Sequence, residues 1–268
     1  MAGAAPGTAG AVALEVVVPA YNEAARLPAG LTLLGGGLAG LPVRAGIIVV
    51  DNASTDATAD LARAWSGPVP VRVLHCAERG KGAAVRTGLL ATRAPYVGFC
   101  DADMATGLEA LDRALALLTS GHPVVVGSRR HAASDVQGYG QPLRRLGAIT
   151  FNRLVRDLAG GISDTQCGFK FFAGDLARAA AADLRTAGFA FDVELLMHCA
   201  RRGAPVTDIP VVWQDRPGST FSIRRHSLAV LGEVARVRAL AARRPAPAPA
   251  PALTPDTALP SASAAGPG

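Results

Sequence analysis

From residue 14 onward the chain alternates short apolar runs with longer amphipathic stretches. Leu14–Pro19 (LEVVVP), Ala45–Val50 (AGIIVV), Val71–His75 (VRVLH), Tyr96–Cys100 (YVGFC) and Pro123–Ser128 (PVVVGS) each read as a strand. Helical patterns lie between them. One starts at about Glu23, one follows Ser54-Thr55-Asp56 as capping residues and runs through Trp65, one spans Lys81–Arg93, and one lies near Leu108–Leu118. Largely apolar strands alternating with helices predict an α/β fold whose mostly parallel central sheet carries helices on both faces. In such sheets ligands bind at the carboxyl ends of the strands, so the polar residues directly after each strand are the ones to examine.

The second half is less regular. The pattern predicts a helix over Leu143–Leu158, a break at Gly160-Gly161, a short segment over Asp164–Phe172, a helix over Asp192–Arg202 and a strand over Thr207–Trp213. A basic helix follows over Phe221–Arg244. In it Val230, Val234, Val237 and Ala241 form one stripe, and Arg225, Arg236 and Arg243 form a second. A helix lying on anionic lipid has this pattern, and so does a helix packed on its own domain with a solvated basic face. The expected organisation is a flexible N-terminus (1–13), one α/β domain (14–220), the basic helix (221–244) and a Pro/Ala-rich tail (245–268) too poor in large apolar residues to fold.

Composition narrows the classes. With 50% hydrophobic and 18% charged residues, most of the chain is expected to be ordered. No run of about 18 uncharged apolar residues predicts a transmembrane helix, and the first residues lack the basic start of a secretory signal. The 4 cysteines show no CxxC pairing or zinc-type spacing. A reduced, cytoplasmic protein is the expectation, with the basic helix as its route to the inner face of the cell membrane. The net charge of +6 suits anionic partners, but only Lys81 and Lys170 are lysines. The arginine excess, beside so much Ala, Gly and Pro, also fits a GC-rich coding bias. No recognition-helix, zinc or aromatic ribonucleoprotein signature accompanies the charge, so nucleic acid is not an expected partner.

The residues after the strands carry the candidate chemistry. Asp101-Ala102-Asp103 follows the fourth strand, and two carboxylates one residue apart can share a divalent cation that binds a diphosphate. A bare Asp-x-Asp is a weak signal, since two aspartates in a surface turn look the same. Four other strand-end or loop sites strengthen it: Pro19-Ala20-Tyr21-Asn22-Glu23, Asp51-Asn52, Arg79-Gly80-Lys81-Gly82 at a helix start, and Gly127-Ser128-Arg129-Arg130. The glycine-lysine turn lacks the spacing of a P-loop. His75 and His198 sit in core-like patterns and read as structural.

VVVPAYNE, VDNASTD, RGKGAAVRTG, DAD, GSR and DTQCGFK stand in the order seen in family-2 glycosyltransferases of the GT-A fold, and the chain resembles that family from about Glu15 to Leu231. DTQCGFK, FDVELL, Ala105-Thr106 after DAD, and Trp213 ahead of a turn at Pro217–Ser219 resemble the dolichyl- or polyprenyl-phosphate glucosyltransferases within it. The resemblance implies inverting transfer of a hexose, glucose from UDP-glucose, onto a polyprenyl or dolichyl monophosphate, with Mg2+ or Mn2+ as cofactor. It places Pro19, Tyr21 and Glu23 around the nucleoside, Asp51 on the base, and Lys81 near base and ribose. Asp101 falls near the ribose or metal, Asp103 is the main metal ligand, and Arg129 meets donor or acceptor phosphate. Asp164, Lys170, Asp192 and Glu194 line the acceptor side. Asp101, Asp103, Arg129 and Asp164 are thereby the candidate catalytic residues.

Other readings keep the donor site. Mannosyl relatives that use GDP-mannose carry Gln or Ser where Ala105 stands here. A same-fold transferase could act on a soluble or cell-wall saccharide; the eukaryotic glucosyl enzymes carry an N-terminal membrane helix that these 268 residues do not show. A non-catalytic nucleotide-binding module would have little need of metal ligands. A phosphate acceptor is already a dianion near pH 7 and needs no strong base, whereas an alcohol would need one from Asp164, Asp192 or Glu194.

Overall fold

A computed structural model describes residues 11–138, 151–215 and 223–243. The expected segments at 1–10, 143–150, Pro217–Ser219 and 245–268 lie outside them. The first half builds β1 (Leu14–Ala20), α1 (Leu27–Ala39), β2 (Ala45–Asp51), α2 (Thr58–Ala64), β3 (Val71–His75), α3 (Lys81–Ala91), β4 (Tyr96–Cys100), α4 (Leu111–Thr119) and β5 (Val124–Ser128). The second half adds β6 (Asp135–Gln137), β7 (Phe169–Ala173), α5 (Gly174–Asp183), α6 (Phe191–Arg201), β8 (Val206–Pro210), β9 (Val212–Gln214) and α7 (Ile223–Arg243).

Seven strands form the central sheet in the order β3-β2-β1-β4-β7-β5-β8. All its neighbours run parallel except β7, which is antiparallel to both β4 and β5. Successive side chains of a strand point to opposite faces, and β1 shows the consequence. Val16 and Val18 pack with Leu27, Leu31 and Leu34 of α1 and Leu111 and Leu115 of α4. Val17 packs on the other face with Val85 and Leu89 of α3 and Leu195 and Leu196 of α6. Strands apolar on both faces are thus buried on both, as a helix-covered sheet requires.

Several boundaries differ from the sequence reading. The first helix starts at Leu27 rather than Glu23, with turns at 24–26. Three glycines in a row lie inside it although glycine is a poor helix former. A Cβ on Gly35 would lie 2.8 Å from the Trp65 ring, so close packing on the following segment excludes a side chain there. The segment over Asp164–Phe172 ends in a core strand, β7. The strand expected over Thr207–Trp213 breaks at Val211: β8 stays in the main sheet, while β9 pairs in parallel with β6.

The stripe of the last helix faces the domain. Val234 and Val237 are buried with Ala190, Val193 and Met197 around α6, with Val230 and Ala241 partly buried beside them. The Arg238 guanidinium pairs with Asp157 at 2.9 Å. Arg236 is exposed; the side chains of Arg225 and Arg243 lie outside the described residues.

One charged pair crosses the core. Lys170, the second residue of β7, has no exposed surface, and its Nζ donates to Asp192 Oδ1 at 2.6 Å and to the Cys167 carbonyl at 2.5 Å. The same ammonium lies 5.0 Å from the Phe99 ring centre. Asp192 occupies the first turn of α6, where the helix dipole also favours a negative charge. Removing one member of such a pair leaves an uncompensated buried charge at a cost of about 3–5 kcal/mol. Lys170→Met should therefore lower the melting temperature sharply, and Lys170→Met with Asp192→Leu should recover much of the loss. Equal melting of the two variants would show that the pair carries no such charge penalty.

Candidate active site

The ends of β1, β2 and β4 converge on one edge of the sheet, and the loop after each contains a residue forced into the left-handed region. Asn22 (φ 52), Ala53 (φ 55) and Met104 (φ 47) are the non-glycine residues of positive φ among the described residues. Such backbone persists only where its surroundings over-determine it, and it concentrates at functional sites. Here the surroundings are hydrogen bonds between loops. The Asn22 N–H donates to Ser54 Oγ (3.0 Å), the Thr55 N–H to Asn22 Oδ1 (2.8 Å), the Glu23 N–H to Thr58 Oγ1 (2.8 Å) and the Ala24 N–H to Asp56 Oδ2 (3.1 Å). Ser54, Thr55 and Asp56 thus staple the β1 and β2 loops together; the N-cap position of α2 is Ala57, without a side-chain cap.

Asp51 closes β2 and is buried, with Oδ1 accepting from the Ser54 N–H at 3.3 Å and Oδ2 lying 3.2 Å from His75 Nδ1. His75 is not a core residue: its side chain is 61% exposed at the edge of this groove. Asn52 fixes the next loop, donating to the Glu78 carbonyl (2.6 Å) and accepting from the Gly80 N–H (2.8 Å), which sets the start of α3 and with it Lys81. Pro19 lies inside β1 beside Val50, and Tyr21 is exposed at the rim.

The two aspartates after β4 differ in setting. Lys81 Nζ lies 2.6 Å from Asp101 Oδ1. Burial pushes the Asp101 carboxyl up, but the Lys81 ammonium outweighs it and leaves the pKa lowered. Asp103 has no such partner at contact distance; its Oδ1 accepts from the Ala105 N–H, and Arg26 Nη1 stands 3.8 Å from its Oδ2. Burial and then the charge of Asp101 raise its pKa. Glu23, held by Arg26 through two hydrogen bonds of 2.7 and 2.6 Å, is also raised, by burial first, with Asp103 and Asp101 adding to the shift. Glu23 and Asp103 thus resist ionising beside an ionised Asp101, and a site of that kind gains from a divalent cation. Among the described residues no group of three or more His, Cys, Asp or Glu is assembled as a ready cation cage. The residues there that could contribute oxygen ligands to a hard cation are Asp101 and Asp103.

On the far side of the DAD loop, Arg129 and Asp164 form a two-pronged pair at 2.7 and 2.8 Å, and the Arg129 N–H also donates to Asp164 Oδ2 at 3.0 Å. The guanidinium lies 5.7 Å from the Trp213 ring centre. Burial works to raise the Asp164 carboxyl, but Arg129 prevails and holds it at about 2. A carboxylate so weakly basic and so fully bonded does not serve as a general base. Lys170 and Asp192 are buried behind Asp101, and Glu194 has no exposed surface. Its oxygens accept from the Arg185 and Thr186 N–H groups at 2.9 and 2.8 Å, supporting a turn whose Ala187 carbonyl accepts from the Ala83 N–H. These three side chains are buried and bonded within the domain behind the DAD loop. The sequence reading missed Arg26, although its i,i+3 spacing from Glu23 is the usual helix pairing distance.

The Asp164 shift has a direct consequence for acid stability. Its folded pKa lies below the ordinary 3.8, so its contribution is present above about pH 4 and disappears as pH falls toward 2. The span of nearly two pH units corresponds to about 2 kcal/mol. Asp164→Asn should be less stable than wild type by about that amount at pH 6, with the gap closing by pH 2 in thermal melts. Parallel curves would show that the pair contributes nothing.

Residues 15–177 match the family model Glycosyl transferase family 2. The chain is 33% identical over 240 residues to the dolichyl-phosphate beta-glucosyltransferase of Dictyostelium discoideum, covering 84% of this chain and 73% of that one. It is 37% identical over 225 residues to the Drosophila melanogaster protein of the same name (78% and 69% covered) and 34% identical over 225 residues to the Homo sapiens one (77% and 68%). Glucosyl-3-phosphoglycerate synthase from Mycobacterium tuberculosis has the same fold, with TM-score 0.62, 21% identity and coverage of 88% and 82%. A crystal structure of that synthase with Mn2+, UDP and phosphoglyceric acid matches with TM-score 0.61 at 22% identity, covering 88% and 80%. The fold is the GT-A arrangement, and the chain belongs to glycosyl transferase family 2, among the dolichyl-phosphate beta-glucosyltransferases.

Proposed function

We propose that this glycosyltransferase moves glucose from UDP-glucose onto a polyprenyl-type phosphate such as dolichyl phosphate, with inversion at the anomeric carbon. The observation that carries the reading is the Asp101/Asp103 pair at the end of β4, flanked by Lys81, Glu23 and the buried Asp51. The names of the relatives support glucose and a dolichyl phosphate, and the UDP complexes of the structural neighbour support the uridine nucleotide.

In this reading Asp51 accepts a hydrogen bond from the base, with the Ser54 N–H orienting its carboxylate. Lys81, at the start of α3, approaches the ribose and diphosphate. Mg2+ or Mn2+, held by Asp103 with Asp101, would supply Lewis-acid neutralisation of the departing diphosphate. An acceptor phosphate oxygen attacks C1, forming the new C1–O bond as the bond from C1 to the diphosphate oxygen breaks; UDP leaves with that electron pair. Arg129, locked by Asp164, holds a fixed positive charge for the acceptor phosphate.

The acceptor class follows from the carboxylates. A phosphate monoester has a second pKa of about 6 and attacks as a dianion without a base. Asp164 is bonded to Arg129, Asp192 to Lys170, and Glu194 to backbone N–H groups, so none of the three is placed to deprotonate an alcohol. No described helix is long and apolar enough to cross a membrane.

The test is a screen of nucleotide sugars against polyprenyl phosphate and saccharide acceptors, scored by release of nucleoside diphosphate; turnover with saccharides and none with polyprenyl phosphate would overturn the reading. Asp103→Ala should lower transfer by about a hundredfold or more while the fold is kept, because it removes a ligand and no core volume. Full wild-type activity in excess EDTA would end the metal role. Asp51→Ala should weaken UDP binding by about 1–3 kcal/mol in calorimetry, with little change in kcat. Unchanged UDP affinity would remove Asp51 from the nucleotide site.

A further inference from the structure

Gly168 has an ordinary backbone φ, so it is not there for conformational freedom; the glycines of positive φ among the described residues are others. What it provides is space. A Cβ at Gly168 would fall 2.8 Å from Asp101 Oδ1 and well inside the contact distance of Oδ2 and Cγ. The Asp101 carboxylate therefore rests directly over the Gly168 Cα. The backbone beneath is fixed as well: the Asp101 N–H donates to the Gly168 carbonyl at 3.2 Å, just beyond the β4–β7 register that ends at Cys100 and Phe169.

The peptide that Asp101 rests on is itself tied to the core. Lys170 Nζ donates to the Cys167 carbonyl, one residue before Gly168, and is held there by Asp192. Cys167 is wholly buried, with its thiol 3.6 Å from Thr106 Oγ1 on the far side of the DAD loop. From α6 to the site the order of contacts is Asp192, Lys170, the Cys167 carbonyl, Gly168 and Asp101.

We infer that Gly168 is a positioning residue for the Asp101 carboxylate, with the buried Lys170–Asp192 pair holding the peptide that forms its seat. The inference rests on the proposed role of Asp101 at the donor diphosphate only for its effect on catalysis; the seat itself is a matter of geometry. A methyl group at Gly168 meets the far end of a side chain and not backbone, so the protein should fold with the carboxylate turned away and its 2.6 Å contact with Lys81 broken.

Two measurements on Gly168→Ala test this independently. A crystal structure of the variant should show the Asp101 carboxylate displaced from Lys81; a carboxylate unmoved, with the methyl accommodated elsewhere, would overturn the inference. Mn2+-dependent binding of UDP, followed by Mn2+ electron paramagnetic resonance and calorimetry, should weaken by about 10- to 100-fold while metal-free UDP binding stays near wild type. Wild-type Mn2+·UDP affinity in Gly168→Ala would likewise overturn it. Metal-independent UDP binding in the wild-type protein would instead refute the metal reading of the proposed function, and the crystal structure would still decide the seat. Should Gly168→Ala fail to fold, adding Asp101→Ala removes the atoms the methyl strikes and should restore folding; continued failure would overturn the inference.

Discussion

Two carboxylates one residue apart at the end of a buried strand repel each other, and the organisation of this site follows from that repulsion. The chain has two lysines, and both lie against the segment that carries the pair. Lys81 touches Asp101 from the start of α3, and Lys170 lies beneath it in β7. The effect is unequal. Asp101 is held ionised, whereas Asp103 and Glu23 are left with raised pKa values because burial acts on them with less compensation. The residual negative charge therefore points toward the open side of the site, where a cation and its diphosphate have most to contribute.

The antiparallel strand β7 makes this arrangement possible. By entering from the other direction, β7 brings the Cys167–Gly168 peptide to the carboxyl end of β4 and carries Lys170 into the middle of the sheet. A lysine at that depth needs a counter-charge, and the first turn of α6 supplies it as Asp192. The helix, the inserted strand and the DAD loop are thus linked through one buried ion pair.

Most of the first half was legible in the sequence because its strands are apolar throughout and its helices follow with short loops. LEVVVP, VRVLH and YVGFC read as strands, and the structure places strands there. β7 was not legible, since FKFFA carries a lysine at its second position and reads as an interrupted segment until its partner Asp192, 22 residues later, is known. The break between β8 and β9 was missed although Pro210 stands at it, because TDIPVVW does not by itself show that its two ends join different sheets. The stripe on α7 was visible, but its partner was not. Four apolar residues at helical spacing look alike whether they meet lipid or Val193 and Met197. Candidate site residues were found wherever a strand ended in a polar motif. The burial of Lys170, Asp192 and Glu194 was not legible, because sequence order does not distinguish a charge that faces a ligand from one that supports it.

That distinction also bears on the choice of acceptor. A transferase acting on an alcohol must keep one carboxylate unpaired, near the attacking oxygen and with a pKa suited to taking a proton. Here the three candidate carboxylates of the second half are committed in different ways: Asp164 to a guanidinium, Asp192 to an ammonium, and Glu194 to two backbone N–H groups. Asp103 and Glu23 have raised pKa values, but they belong to the negative cluster around Asp101, and at the proposed donor site a bound cation would favour their ionised form over proton transfer. An acceptor that brings its own negative charge avoids the need for a base and gains from fixed cations such as Arg129, whose position is set by Asp164 and Trp213. The same residues that would make a poor base for an alcohol therefore make a rigid seat for a phosphate.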